Sequence, residues 1–410
     1  MKCKFTLLMV LFCMCLSFTS NAQEVIDSKF GKGIINVIAK DSSWSMKFAT
    51  RMQILSTSVL SANDPNSTEI EQNFSIRRAR FKFDGFAFSP KLKYKFELGL
   101  SNRDISGGSQ FTRNTPRYIL DAVVMWNFAP NWELWAGQTK LPGNIERVIS
   151  SGNLQFVDRS LLNSRFNIDR DVGIQIRHID KLGKNFVIRE KIAISQGEGR
   201  NVTEGNEGGL QYTGRIEFLP FGEFISKGDY SSSDLKREPT PKLMAAINYD
   251  HNNNAVRERS NLGGYMFLSD GSLYQTNINT LFADAIFKYQ GFSFQGEFAQ
   301  RTAENAIATE ADGTPATDAD GVATGDVVNV GNSLNLQAGY LLPSNWEFSG
   351  RYTNIRLDNI AGGRDTDQYT AGVSKYLSGH KLKVQSDLSY TTINGEGDNW
   401  MFRLQLDVHF

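Results

Sequence analysis

The chain has three cysteines in 410 residues, and all of them, Cys3, Cys13 and Cys15, fall within its first fifteen positions. Beyond that segment there is no thiol for a disulfide scaffold or a cysteine enzyme. Neither charge sign is in excess, since 44 basic residues meet 44 acidic ones, and this argues against nucleic acid as a partner. After the N-terminus no run of about 18 apolar residues occurs, so no helical membrane span is expected. The four histidines, His178, His251, His380 and His409, are scattered without metal-ligand spacing, and neither a metal nor a cofactor is expected. Helical periodicity is nowhere sustained, and the 36 glycines suit bends rather than helix interiors.

The chain opens with the pattern of an export signal. Lys2 and Lys4 give a charged start, residues 5 to 16 form an apolar core, and Ser20-Asn21-Ala22 offers small residues before Gln23. The expected organisation is a cleaved signal over 1–22, a periplasmic lead-in over 23–42 and one large domain over 43–410. Losing the two signal lysines leaves 42 basic against 44 acidic residues.

Through that domain the dominant signal is alternation. In "KLKYKFELGL", residues 91 to 100, Leu92, Tyr94, Phe96 and Leu98 share one face of a strand while Lys91, Lys93, Lys95 and Glu97 share the other. The same period runs through Trp44–Ile54, Arg78–Asp84, Leu120–Phe128, Trp132–Ala136 and Phe186–Ile194, and it closes the chain at "WMFRLQLDVHF". About sixteen such segments fit the length, at roughly 24 residues per strand and connection. An apolar face on every strand needs a cover, and no helices are available to provide one. Lipid is the remaining cover, so the pattern predicts an all-β, closed antiparallel transmembrane barrel with a polar lumen. Short links such as 89–91, 129–131 and 342–344 are expected at one rim. Long polar connections near 101–116, 141–168, 250–278 and 303–332 are expected at the other. Trp44, Trp126, Trp132, Trp346 and Trp400 fall near segment ends, where interfacial girdles sit.

From "FSIRRARFKFDGFAFSPKLKYKFELGLSN" (74–102) through the passage around Gly137, Gln138, Lys140 and Pro142, "RDVG", "GRIEFLPFGE" (214–223) and "GFSFQGEFAQR" (291–301), the chain resembles the phosphate-selective porins O and P. The resemblance runs in order along nearly the whole domain. It implies a homotrimeric porin of about sixteen strands in the outer membrane of a Gram-negative bacterium. Its third extracellular loop would fold inward and its lumen would carry basic side chains. A final strand ending in Phe410 resembles the signal read by the barrel-assembly machinery. The sequence departs from the family in its neutral balance, in the lumen acids Asp84, Glu97, Asp121 and Glu133, and in a long acidic loop. A modest anion preference is therefore expected rather than strict phosphate selectivity.

The candidate pore-lining and anion-binding residues follow from face and spacing. Arg78, Arg80 and Lys82 share one face at i, i+2 and i+4, and Lys93 and Lys95 do the same on the next strand. Lys140 stands at the start of the connection 141–168, which contains Arg147, Arg159 and Arg165 and, by resemblance, is the constriction loop. Leu154, Phe156, Leu161, Leu162 and Phe166 are expected to pin it to the wall. Segment 303–330 holds six acids and no Lys or Arg and reads as a mobile, solvated loop. The expected partners are small anionic or polar solutes and outer-membrane lipid. A general diffusion porin is the alternative, with a surface receptor or adhesin behind it. No catalysis is expected, but a barrel enzyme is the rival from another class; it would need a serine beside a histidine, and no strand shows the two together.

Overall fold

A computed structural model describes residues 29–61, 69–183, 185–204, 208–318 and 320–410. The export signal expected over 1–22 lies outside these residues. The strands are β1 (Ile35–Ile38), β2 (Trp44–Ser61), β3 (Ile70–Ala87), β4 (Ser89–Gly99), β5 (Ile119–Ala129), β6 (Trp132–Lys140), β7 (Arg170–Leu182), β8 (Phe186–Ser195), β9 (Gln211–Leu219) and β10 (Lys242–Ala255). They continue with β11 (Arg257–Arg259), β12 (Leu262–Tyr265), β13 (Thr276–Tyr289), β14 (Phe292–Ala303), β15 (Gly331–Leu341), β16 (Trp346–Leu357), β17 (Asp365–Tyr376), β18 (Leu382–Ile393) and β19 (Glu396–His409).

Sixteen of these form one closed antiparallel ring, in which β19 pairs with β2 and β9 pairs with β10. Closure leaves no unpaired edge within the wall, which is what a sheet surrounded by hydrocarbon requires. The outward face is apolar: Ile192, Phe348 and Tyr369 are 62%, 55% and 54% exposed. Inward neighbours such as Ser293, Gln295, Glu297 and Arg301 on β14 are buried. The short strand β1 pairs with the lower end of β2 and continues the ladder past the C-terminus, where Phe30 meets Phe410 edge-on.

Three features could not be read from alternation. At Arg77 a bulge separates the pairs Gln53–Arg78 and Ile54–Ile76, so the outward positions switch from even numbers (Phe74, Ile76) to odd ones (Phe81). The rim of short turns has one exception, a lower insert over 220–241 between β9 and β10 that folds into the lumen. This corrects the expectation of short turns alone on that side.

The acidic loop is the third feature, and it is folded rather than simply solvated. Its sequence holds two eight-residue units, "ATEADGTP" (308–315) and "ATDADGVA" (316–323), each a small closed hairpin. Ala316 N donates to Ala308 O at 3.0 Å and Thr324 N to Ala316 O at 2.8 Å. The neighbouring loop repeats the device, with Tyr274 N on Met266 O at 2.9 Å. Each tip needs a left-handed glycine, namely Gly271, Gly313 and Gly321. Met266, Ala308, Ala316 and Val328 form a shared buried core. Asp270 and Asp312 accept hydrogen bonds inside their own turns.

Candidate functional site

The third loop, 141–168, leaves β6, crosses the lumen and seats against the opposite wall. Leu162, Phe166 and Ile168 are fully buried with Leu141, Phe282, Ala299 and Ile355. Burying each such side chain contributes about 1.5–3 kcal/mol. Farther along, Phe156 takes the space that a side chain at Gly372 would fill, 3.0 Å from the position of that missing Cβ. Polar contacts complete the seat: Gln155 Nε2 donates to Glu347 at 2.7 Å, Val157 N to Asp387 at 3.1 Å and Lys383 Nζ to Leu154 O at 2.9 Å.

From below, the lower insert reaches the same loop, where Ser232 N donates to Asn153 O at 3.0 Å and Asn153 Nδ2 to Tyr230 O at 3.1 Å. Phe224 of the insert joins Ile145, Ile149 and Leu154 of the loop in one apolar cluster. Between these segments and the wall β3–β7 runs a cavity of about 720 Å³. Its lining holds fourteen Arg or Lys side chains against five Asp or Glu.

Of the residues expected from sequence, Arg78, Arg80, Lys95, Lys140, Arg147 and Arg159 meet on this cavity. Lys82, Lys93 and Arg165 do not line it. Lys82 pairs with Asp84 at 2.9 Å nearer the lower rim, Lys93 is exposed, and Arg165 is exposed while its carbonyl serves Arg301. Lys140 is a clamp, since its ammonium donates to the carbonyls of Arg147 (2.7 Å), Val148 (3.2 Å) and Ile149 (3.2 Å).

Eight of the cavity's cations went unassigned in the sequence. Arg77 is one, because the bulge turns it inward beside Arg78 and both reach Asp158, at 2.7 and 3.2 Å. Arg170 is another; it sits in "RDVG" and pairs with Asp121 at 3.1 Å. Arg103, Arg117, Arg200 and Arg259 come from three upper-rim connections, and Arg177 and Arg403 from the wall. Parity with the buried Gln175 could have found Arg177; nothing local could have found the loop arginines.

The lumen acids are absorbed by this excess. Glu97 pairs with Arg80 and Lys95, and Asp121 with Lys95 and Arg170. Burial works against the charge on Asp104, yet the hydrogen bond and charge of Arg80 bring its carboxyl down to about 2. Asp158 lies lower still, held by Arg78, Arg77 and Arg403 against its burial. Among the described residues, seven of the cavity's cations have no carboxylate within 4.0 Å: Arg103, Arg117, Lys140, Arg159, Arg177, Arg200 and Arg259. Burial, then the charges of Arg117 and Arg170, push Arg200 down to about 9. A guanidinium that stays charged there carries an electrostatic cost that an arriving anion relieves.

A transmembrane wall with an inward loop over a cationic throat is the build of a diffusion channel. The family described as phosphate-selective porin O and P matches residues 55–399. The chain belongs to that family. It is an outer-membrane porin. No curated protein matches this porin in sequence. Among solved structures it is similar to an anion-selective porin from Comamonas acidovorans, with 11% identity, TM-score 0.52, and 90% of this chain and 100% of that one covered. OmpF of Salmonella typhi, in complex with daunomycin, aligns with 10% identity, TM-score 0.55 and coverage of 91% and 99%. The outer-membrane channel DcaP of Acinetobacter baumannii aligns with 11% identity, TM-score 0.54 and coverage of 91% and 99%. At these identities the likeness is one of fold.

Proposed function

We propose that this porin passes small hydrophilic solutes by diffusion, prefers anions, and performs no catalysis. The observation that carries the reading is the cavity lining, with fourteen cations against five acids in a chain whose total charge is zero. Confinement between low-dielectric walls makes such fixed charge felt by a passing ion more strongly than in bulk water. Assembly as a homotrimer belongs to the reading through the family resemblance alone, and unheated protein migrating as a monomer would count against it.

One contact bears on the rival reading of a barrel enzyme. Ser231 Oγ lies 2.8 Å from His380 Nε2, the contact a hydrolase needs, although both residues sit in turns. His380 Nδ1 has no hydrogen-bond partner among the described residues, so no carboxylate orients the ring. Burial, then Lys383 and Lys288, hold the imidazole well below its usual range. A neutral, structural histidine fits these surroundings better than a base.

The test is the reversal potential of the purified porin across a KCl gradient in a planar bilayer. The wild type should reverse on the anion side. An Arg78→Ala, Arg80→Ala double variant should shift toward zero, because it removes two cations and leaves Asp104 without its ion-pair partner, while Asp158 keeps Arg77 and Glu97 keeps Lys95. Reversal near zero or on the cation side in the wild type would leave a general diffusion porin.

A further inference from the structure

Below the ring of cations, the cavity changes character. Trp135 lies five residues from Lys140 toward the lower end of β6 and is half-buried on the lumen face. It departs from the tryptophans that meet lipid: Trp132, on the opposite face of the same strand, is 39% exposed. Met125, its cross-strand neighbour on β5, lines the cavity with it, as do Val148 of the third loop and Tyr230 of the lower insert. A channel serving only hydrated inorganic ions gains nothing from an indole, a thioether and a phenol ring in its water-filled lumen.

Arg177 lies over this surface, with its guanidinium carbon 3.6 Å from the centre of the Trp135 rings. Its Nε and Nη2 are held by Gln175 Oε1 at 3.3 and 2.7 Å, and its Nη1 donates to no described residue. No carboxylate lies within 4.0 Å of it among the described residues. Glu133, whose backbone pairs with that of Arg177, instead accepts from the indole Nε1 at 2.9 Å. The result is a guanidinium held over an indole on the cavity wall, with Nη1 left without a partner among the described residues. Guanidinium planes stack on aromatic rings and hydrogen-bond carboxylates at their edge, and a lysine offers neither geometry.

We infer that this pair of guanidinium and indole is a subsite for planar organic anions, of which aromatic carboxylates are the committed class. The inference rests on the anion preference proposed above and narrows it. The upper cations draw in any anion, and the pair retains those with a flat ring. Retention by stacking depends on planarity, so a saturated ring of equal charge and similar size is the discriminating control.

Single-channel current is recorded in KCl while benzoate, cyclohexanecarboxylate or acetate is titrated in as the sodium salt. In the wild type, benzoate should interrupt the current at a concentration roughly tenfold below that of cyclohexanecarboxylate, with acetate weaker than both. Trp135→Leu should bring benzoate to the level of the saturated ring. Arg177→Lys, which keeps the charge and loses the plane, should do the same, and open-channel current reports that each variant has assembled. Equal potency of benzoate and cyclohexanecarboxylate in the wild type overturns the inference, and so does a Trp135→Leu channel that keeps the preference. Reversal on the cation side in plain KCl, measured before any organic anion is added, overturns the anion reading instead.

Discussion

Two segments enter the lumen from opposite rims, and they are held there by the same device in different ways. Each is clamped by one wall lysine giving its ammonium to three backbone carbonyls. Lys140 holds the third loop through Arg147, Val148 and Ile149, and Lys288 holds the lower insert through Gly228 (2.7 Å), Ser231 (2.8 Å) and Ser233 (2.7 Å). The first clamp is local, since Lys140 ends the strand from which the loop departs. The second comes from β13, 55 to 60 residues away in sequence. Apolar side chains dominate the seat of the third loop. The insert relies more on polar bonds, with Ser233 Oγ on Glu347 at 2.7 Å and Asp229 on Arg189. The third loop is thus held mainly by buried carbon, and the insert beneath it mainly by hydrogen bonds.

The sharpest way to break this contrast is to remove the apolar seat. Phe166→Ala should cost about 3–5 kcal/mol, read from urea unfolding in detergent, and should raise single-channel conductance as the loop loosens. If the loop is secured by polar bonds instead, stability will hardly change. Lys288→Met should cost roughly 3 kcal/mol, about one for each carbonyl left unpaired. It should raise conductance while keeping the sign of the reversal potential, because the cations of the throat lie elsewhere.

The smallest effect tests the upper loops, where charge rather than packing does the docking. Asp104→Asn should cost on the order of 2 kcal/mol at pH 7. Because the Asp104 carboxyl sits at about 2, below its ordinary 3.8, its contribution is complete above pH ~4 and is lost as pH falls toward 2. The wild-type and variant stability curves should therefore run parallel from pH 7 to 5 and converge between about 4 and 2.

The same contrast explains what was legible in the sequence. Lipid imposes a strict period of two, so the strands, their count and the outward tryptophans could be read from residues such as Leu92, Tyr94 and Phe96. The third loop was reachable because its apolar pins, Leu162 and Phe166, stand out in a polar connection and because the resemblance assigned it a role. Nothing in "FGEFISKGDYSSSDLKREPT" distinguishes an inward insert from a surface linker, since its clamp lies on a distant strand. Arg77 escaped notice because "IRRAR" reads equally well in either phase until the bulge is placed. The loop arginines Arg103, Arg117 and Arg200 reach the cavity only through the tertiary course of their loops. Trp135 went unread, although parity with the outward Trp132 places it on the lumen face of the same strand.

The hairpin units of the outer loop carry a consequence for how this surface can change over generations. A segment made of self-closing eight-residue modules can gain or lose a whole module and still return the chain to the same point on the wall. Each copy brings its own glycine tip, its own aspartate tie and its own small inward residue, so a duplication in the coding sequence needs no compensating change elsewhere. The face shown to the outside can thus be rewritten in steps of eight residues while the throat beneath stays as it is.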